Sequence, residues 1–412
     1  MAYAVEHSTA VRTQQIDARQ AQSDYRLAKL SFLPTVSGGV SGQYSWGRGV
    51  DPETNTYNNV TTFNNYYQLY ASLDVFDGFR TINAFKQARL ARQTAQTRID
   101  KARDAKAIEV MQSYADAVYA QASIRLAADK LDESRRILQK TKRMFDLGEK
   151  SKPDVAQAEA QVAADDYNLT HQRNEARRTL LALKAVMNYP INDSLSLDST
   201  TAVCPRLAAD DASSLYESFS QISPEVLSAQ ADARSSRYDY LQQCASLMPS
   251  ISLSGGVTTS FYKNISLKGT AESFASQFRN NRGEYLSVSL SIPLFDPSTW
   301  RGVRRAKSAW QKAEITLDET RRRLHDDIAQ AVMDRDGYAK EVIQMERKAQ
   351  SDSIAHHLNS RKYEEGMLST FELRTSSNTL LESRIRLLQM RLLYAMKERL
   401  VDYYKGRPLV RK

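Results

Sequence analysis

The sequence predicts a mainly α-helical protein that is duplicated internally and carries four β-strands suited to a membrane β-barrel. Three observations lead to this prediction. The 412 residues include only 15 glycines and 10 prolines, about half the usual share of each, so breaks between helices are few. Two windows, residues 38–49 and 255–283, hold most of the glycines. Segments that lie about 215 to 219 residues apart repeat one another.

Two stretches with almost no helix-breaking residues are predicted to form long coiled-coil helices. The first spans residues 78–147 and the second residues 298–365, with Gly337 as its only glycine beyond residue 302. Apolar side chains follow steps of three and four residues in two seams: Ile108, Met111, Ala115, Val118 and Ala122, and Leu381, Ile385, Leu388, Leu392 and Ala395. Because alanine buries little apolar area, we expect such helices to need lateral partners.

Four segments alternate apolar and hydroxyl side chains with the period of two that is typical of strands. They are Val36–Trp46, Tyr67–Val75, Ser250–Phe261 and Glu284–Leu294. The sequence between the members of each pair, about Gly47–Phe63 and Tyr262–Gly283, is rich in Asn, Thr and Gly. We predict two β-hairpins with long, mobile external loops.

The duplication divides the chain into two repeats with the same order of elements. Ile16–Ser37 matches Ala231–Ser252, and Met144–Val155 matches Lys362–Leu373. Residues 1–205 are predicted to contain a helix, a β-hairpin at 33–76, a long helix at 78–147 and a return helix at 153–188. Residues 206–412 are predicted to contain a helix at 223–247, a β-hairpin at 249–295, a long helix at 298–365 and a return helix at 370–404.

Four strands of this length match the span of a tilted strand across a bilayer. An open sheet cannot lie in lipid, because the amides along its edges would be unpaired. The smallest membrane barrels have about eight strands, so two, three or four copies must pool their strands. The alternative interpretation of the strands is a soluble β-sandwich with a serine-rich outer face.

Composition excludes a helical membrane protein, since no stretch approaches about 18 uncharged apolar residues. The net charge of +9 arises from 57 basic and 48 acidic residues that are interspersed, which favours solvated helix faces over a nucleic-acid partner. The alternative function is a soluble coiled-coil scaffold or interaction protein that binds nucleic acid through this charge. The sequence leaves open whether Cys204 and Cys244 form a disulfide.

No motif for enzymatic chemistry is present. His7, His171, His325, His356 and His357 match no metal-binding spacing, and there is no phosphate-binding loop, nucleophile elbow or dinucleotide fingerprint. We therefore expect no enzymatic activity, no cofactor and no metal. The adjacent His356 and His357 are predicted to lie on the surface.

The two turns that follow the long helices are the candidate functional sites. Gly148 and Gly366 precede a serine and then a carboxylate, Asp154 or Glu372. Helix capping explains this pattern locally. If three copies surround one axis, the same residues place six carboxylates near a narrow mouth, and rings of acids favour cations.

The repeated order of elements, the joints LDVFDGFR and SIPLFDPSTWRG, and the turns FDLGEKSKPDVAQAEAQ and YEEGMLSTFELRTSSNTL resemble the TolC-type outer-membrane efflux protein family. The resemblance implies a homotrimer with a 12-stranded β-barrel in the outer-membrane lipid and a 12-helix α-barrel through the periplasm. It implies a passive exit duct that docks to a periplasmic adaptor protein and, through it, to an inner-membrane pump. Drugs, metal ions and proteins all remain open as cargo.

The resemblance also assigns roles to residues. Glu372 falls at the acidic ring of the periplasmic aperture, and Asp154 and Tyr363 fall in the bond network that constricts it. The residues that match the adaptor-contacting tips are Gly148, Glu149, Lys150, Gly366, Met367 and Leu368. Two positions depart from the family example. Thr375 occupies the position of a second acidic residue of the aperture, and Leu368 lies near the position of a basic partner.

The amino end lacks a recognisable signal peptide and is short compared with the family pattern, in which more helix precedes the part that matches Glu6–Leu33. We expect either a cytoplasmic protein or a chain that begins after its export signal. The resemblance favours the outer membrane, with a long periplasmic portion.

Overall fold

The computed structural model describes residues 1–50, 55–198, 205–206, 210–266 and 272–410. Its elements, in chain order, are α1 (Ala2–Glu6), α2 (Thr9–Leu30), β1 (Thr35–Val50), β2 (Tyr57–Phe76), α3 (Arg80–Asp146), α4 (Lys152–Met187), α5 (Ala212–Ser220), α6 (Pro224–Ala245), β3 (Ser250–Asn264), α7 (Phe274–Asn280), β4 (Gly283–Ser291), α8 (Pro297–Glu364) and α9 (Thr370–Tyr404).

The order of elements confirms a mainly helical, duplicated fold with four strands. A short helix, a longer helix, two strands and two long helices follow one another, and the same series then recurs with α7 inserted between its strands. The long helices α3 and α8 contain 67 and 68 residues. Within the described residues, no helix combines the length and apolar character needed to span a bilayer.

The residues separate into two compact units, and each unit draws on both halves of the chain. One comprises Ala18–Thr94 and Gln230–Ile315 and contains the sheet. The other comprises Met1–Asp17, Ala95–Ala229 and Thr316–Lys412 and contains the turns after α3 and α8.

The sheet is antiparallel with the strand order β1-β2-β3-β4, so β1 and β4 form its edges. The register brings the apolar positions of all four strands to one face: Val40 lies opposite Tyr67, Leu69 opposite Val257, and Leu253 opposite Val288. Val40 is 72% exposed, Leu69 56% and Val288 69%, so the rest of the chain does not cover these three side chains, whereas Tyr67 packs against Phe274 and Phe278 of α7. Serine and threonine side chains occupy the other face, as the period of two predicts.

The loops were predicted too long, because the strands continue into the sequence rich in Asn, Thr and Gly. Val50 of β1 pairs with Tyr57 of β2, so residues 47–50 and 57–63 are strand. Between β3 and β4, α7 is held against β3 by Gln277, whose side chain accepts from the Tyr262 N–H and donates to the Tyr262 carbonyl, both at 2.9 Å. The remaining loop residues 51–54 and 267–271 lie outside the described residues.

Strand β4 ends earlier than predicted, at Ser291 instead of Leu294. Pro293 has no N–H group to donate to a ladder, which explains why the pairing stops before it.

The helices of the second unit pack through apolar clusters. One cluster joins α5, α6, α8 and α9 and includes Phe219, Ile328 and Val401, and smaller clusters join α3 to α4 and α8 to α9. The predicted seam residues are not members of these four clusters. Met111, Val118 and Leu392 are nevertheless buried, whereas Ile108 is exposed. The other seam residues are half-buried, so an apolar strip beside each intrachain contact keeps surface that a lateral partner could cover.

Candidate functional site

Both helical turns close with the same backbone motif. At the end of α3, Gly148 has φ of +79°, and its N–H donates to the Phe145 carbonyl at 2.9 Å, while the Glu149 N–H donates to the Met144 carbonyl at 2.8 Å. This pair of bonds is a Schellman motif, whose left-handed position favours glycine.

The turn after α8 repeats this geometry. Gly366 has φ of +77°, its N–H donates to the Tyr363 carbonyl at 3.1 Å, and the Met367 N–H donates to the Lys362 carbonyl at 2.8 Å. The duplication seen in the sequence is therefore preserved in the hydrogen bonds of the two turns.

The predicted carboxylates cap the helices that follow. Asp154 Oδ2 accepts from the Ser151 N–H at 2.9 Å and from the Ser151 hydroxyl at 2.6 Å. Glu372 Oε2 accepts from the same two groups of Ser369, at 3.0 and 2.7 Å. The bonds from the serine hydroxyl and the serine backbone lower the pKa of both carboxyls. The capping interpretation is thus confirmed, and both carboxylates are ionised at neutral pH.

Apolar side chains surround the turns and are exposed. Leu147 is 74% exposed, Met367 73% and Phe371 60%, whereas Leu368 is half-buried. Of these four, only Met367 and Leu368 are among the predicted tip residues. Leu147 and Phe371 are additions from the structure, and their proximity to Gly148 and Gly366 in the sequence is the signal that could have found them.

Tyr363 lies inside the helix packing and not at the surface of the turn. It is 4% exposed, its hydroxyl is 3.2 Å from Thr141 Oγ1, and Lys140 Nζ lies 4.8 Å from its ring centroid. The Lys140 ammonium also donates to the Tyr363 carbonyl at 3.2 Å. Within the described residues, these contacts join α8 to α3, and no hydrogen bond or ion pair links Tyr363 to Asp154 or Glu372.

An open groove with a volume of about 320 Å³ lies beside Glu372. Thr375, which stands where the family example has a second acid, lines this groove together with Asp352 of α8. Although Thr375 carries no charge, two carboxylates still line the groove, those of Asp352 and Glu372.

A buried polar cluster that sequence reasoning missed joins α3, α8 and α9. Lys130 donates to the Ser377 hydroxyl, which donates to Glu133 Oε2, and His356 Nε2 lies 2.9 Å from Glu133 Oε1. The surface prediction was therefore wrong for His356, whose side chain is 17% exposed. It holds for His357, which is exposed. A lysine and a glutamate three residues apart in α3 give no local signal of a partner on another helix.

No group of three or more His, Cys, Asp or Glu side chains in the described part of the chain is arranged to hold a metal ion. Cys244 in α6 is half-buried and its thiol is free, and Cys204 lies outside the described residues.

Comparisons with known proteins agree on one family. The profile of a family described as outer membrane efflux protein matches residues 3–189 and again residues 215–401. Among curated proteins, no sequence matches significantly.

Solved structures resemble the whole chain at low sequence identity. CusC, whose structures concern transmembrane channel formation, is 18% identical with a TM-score of 0.80, over 98% of this chain and 90% of CusC. The outer membrane protein VceC from Vibrio cholerae is 15% identical with a TM-score of 0.80, over 99% of this chain and 95% of VceC. The open state of the Neisseria gonorrhoeae MtrE outer membrane channel is 18% identical with a TM-score of 0.75, over 98% of this chain and 87% of MtrE.

Proposed function

The chain belongs to the outer membrane efflux protein family, and from this premise we propose that it is a passive exit duct of the outer membrane. Three copies form the duct, each contributing four strands to a 12-stranded β-barrel and four long helices to a 12-helix α-barrel in the periplasm. Substrate moves through it down a gradient that a partner pump maintains.

The observation that carries this proposal is the apolar face of the sheet. The register gathers apolar side chains from four strands on one face, and Val40, Leu69 and Val288 remain more than half exposed. An exposed apolar face of this extent marks an interaction surface, and lipid is a partner that needs no specific contacts. The serine and threonine side chains of the opposite face suit a water-filled lumen.

The free edges of the sheet support the pooling of strands. Strand β1 pairs only with β2 and strand β4 only with β3 among the described strands, so each chain offers two edges with unpaired amides. In lipid such edges must be closed, and identical copies close them by joining β4 of one protomer to β1 of the next. The half-buried strips beside the α3–α4 and α8–α9 contacts fit the same arrangement, because each supplies a lateral surface for a neighbouring protomer.

The turns after α3 and α8 are the proposed docking point for a periplasmic adaptor protein, through which an inner-membrane pump engages. Each turn is closed by its own Schellman motif and is therefore a defined local shape. The exposed Leu147, Met367 and Phe371 supply apolar surface that an adaptor's helical hairpin could cover. Nucleic acid has no part in this function.

Asp154, Tyr363 and Glu372 are the proposed aperture residues. In a trimer, the capping carboxylates form two rings of three negative charges at the periplasmic mouth, and such rings favour cations. Opening untwists the two helical hairpins, and adaptor contacts that are better in the open state bias this equilibrium. Tyr363 ties α8 to α3 through Thr141 and Lys140 and opposes the untwisting.

Conductance in planar bilayers tests the aperture role of Glu372. Glu372→Gln removes the charge but keeps an oxygen that can accept from Ser369, so it separates electrostatics from capping. We expect a lower preference for cations over anions in Glu372→Gln, and in Glu372→Ala both this change and a larger conductance. Glu382→Ala, an exposed carboxylate in the same helix outside the capping box, is the matched control. Unchanged conductance and selectivity in both Glu372 variants would contradict the aperture role.

A further inference from the structure

Helix α7 occupies the edge of β3 beyond the point that β4 reaches. Strand β4 pairs with β3 only as far as Thr258. Further along β3, the Gln277 side chain accepts from the Tyr262 N–H and donates to the Tyr262 carbonyl, both at 2.9 Å. Asn281, at the end of the helix, donates to the Ser260 carbonyl at 2.8 Å. These side chains satisfy backbone groups of β3 in place of a strand, so α7 has a fixed position on the sheet.

The two phenylalanines of α7 pack on the apolar face of the sheet. The Phe274 ring centroid lies 5.4 Å from that of Phe261 and 6.1 Å from that of Tyr67. The Phe278 ring centroid lies 5.3 Å from that of Tyr67, and the Thr259 hydroxyl donates to the Phe278 carbonyl at 2.7 Å. Phe274 is nevertheless 47% exposed and Phe278 41%. The sheet therefore leaves nearly half of each ring uncovered.

The apolar face changes in the same order along β1 and β3, from aliphatic to aromatic to cationic side chains. In that order, the residues are Val40, Tyr44, Trp46 and Arg48 of β1, and Val257, Phe261 and Lys263 of β3. Ring contacts from Tyr44 through Phe63 to Phe261 join the aromatic level across three strands. Glu284 begins β4 on the same face, but its carboxylate is paired with Arg282. This order is typical of a surface that passes from hydrocarbon into the headgroup layer.

The spacing of two aromatic levels on β2 fits the thickness of a membrane. A register shift at Asp74–Phe76 brings Phe76 opposite Ile251, on the apolar face, and Phe76 lies nine residues beyond Tyr67. At about 3.3 Å per residue and a strand tilt of about 35–45°, the two levels differ in height by about 21–24 Å, and the apolar band of outer-membrane barrels is about 25 Å tall. Tyr67 and α7 therefore lie at the boundary of the band that is remote from the start of α3.

We propose that α7 is an interfacial helix, which lies on the outer face of the barrel in the lipid headgroup layer at the loop end of the hairpins. Phe274 and Phe278 reach the boundary of the acyl chains, about 5–10 Å below the surface. Arg279, about 140° around the helix from Phe274, and Lys263 are exposed and face the phosphate groups of the lipid.

The contacts with β3 supply the order that a helix of seven residues cannot maintain alone. The inference rests on the proposed function, because it requires the apolar face of the sheet to lie in lipid.

Quenching of tryptophan fluorescence by brominated phosphatidylcholine tests the position of α7, with the full chain refolded into vesicles. Phe278→Trp adds a tryptophan to α7, and its emission is the difference from wild type, which carries Trp46, Trp300 and Trp310. We expect this added emission to be quenched more strongly by bromine near the headgroup than by bromine near the chain end. Phe274→Trp should give the same result and provides a second site if Phe278→Trp does not fold.

Two variants of β4 provide the reference depths. Val288→Trp, opposite Leu253, adds a tryptophan near the middle of the apolar face, and bromine near the chain end should quench it more strongly. Ser289→Trp, opposite Ser252, adds one on the other face, and neither lipid should quench it. Heat-modifiable migration on gels verifies that each variant is folded before it is compared.

Quenching of Val288→Trp with no quenching of either α7 variant would overturn the inference and leave the proposed function intact, since a neighbouring protomer would then cover α7. Stronger quenching of the α7 variants by bromine near the chain end would overturn it as well. Absence of quenching in Val288→Trp, or equal quenching in Ser289→Trp, would contradict the lipid-facing sheet and therefore both proposals.

Discussion

Placing a charge on the apolar face of the sheet should prevent insertion, while the same charge on the other face should not. Val288 lies near the middle of β4 opposite Leu253, and the next residue, Ser289, lies opposite Ser252 and points to the other face. Lysine at the lipid-facing midplane of a barrel costs about 2–4 kcal/mol. That cost lowers the equilibrium constant for folding and insertion about 30- to 700-fold.

This penalty depends on the surroundings of Val288, not on its contacts within the chain. The side chain is 69% exposed, so a chain in water loses little packing on Val288→Lys, and exposed substitutions of this kind change stability by about 0.5 kcal/mol or less. The expected free-energy cost of Val288→Lys in lipid thus exceeds its cost in water by several times the error of a typical measurement.

Refolding from urea into phospholipid vesicles, with the folded fraction read from heat-modifiable migration on gels, provides the assay. Ser289→Lys is the matched control, because it adds the same side chain one residue away on the lumenal face. Insertion of Val288→Lys as efficiently as wild type would refute the assignment of faces. Equal failure of both variants would refute it as well.

Two further outcomes follow from local geometry. Gly366→Ala should destabilise the protein by about 1–2 kcal/mol, because alanine is strained at the positive φ of this turn. Gly337→Ala, in the interior of α8, should instead stabilise the protein by about 0.5–1 kcal/mol. Neither added methyl group comes within 4 Å of a neighbouring atom, and thermal unfolding followed by circular dichroism checks the opposite signs. The Asp210 carboxylate accepts hydrogen bonds from Lys405, at 2.7 Å, and from Arg335. Burial raises the pKa of the Asp210 carboxyl, but the two cations outweigh burial, so the pKa is lowered. Asp210→Asn should therefore lower the unfolding temperature at pH 7, with a difference from wild type that shrinks as the pH falls below about 4, and a difference that is the same at pH 7 and pH 3 would contradict this pairing.

Features that depend on neighbours in the sequence could be predicted from it. The period of two located all four strands, because one face of each strand is apolar and the other hydroxylic. The turns at Gly148 and Gly366 are also local, since a glycine, a serine and a carboxylate within seven residues are sufficient to build the Schellman motif and the capping contacts. Their interpretation as caps needed no tertiary information.

Features that depend on tertiary pairing could not be predicted. Residues 57–63 contain the asparagines and threonines of a typical loop. They are strand because they pair with β1, and Thr62 and Phe63 also pair with β3. Helix α7 has seven residues, too few for a periodic signal, and is held by Gln277 against β3. His356 has its partner Glu133 on a helix 223 residues away, so its own helix gives no sign that it is bound.

The mass of the purified protein in detergent tests the central claim most directly. Native mass spectrometry or light scattering should give three times the 46.6 kDa of one chain, and the particle should require detergent to remain in solution. A single chain of 46.6 kDa that stays dispersed in plain buffer would contradict a barrel completed by identical copies, and a dimer or tetramer would contradict the proposed 12 strands.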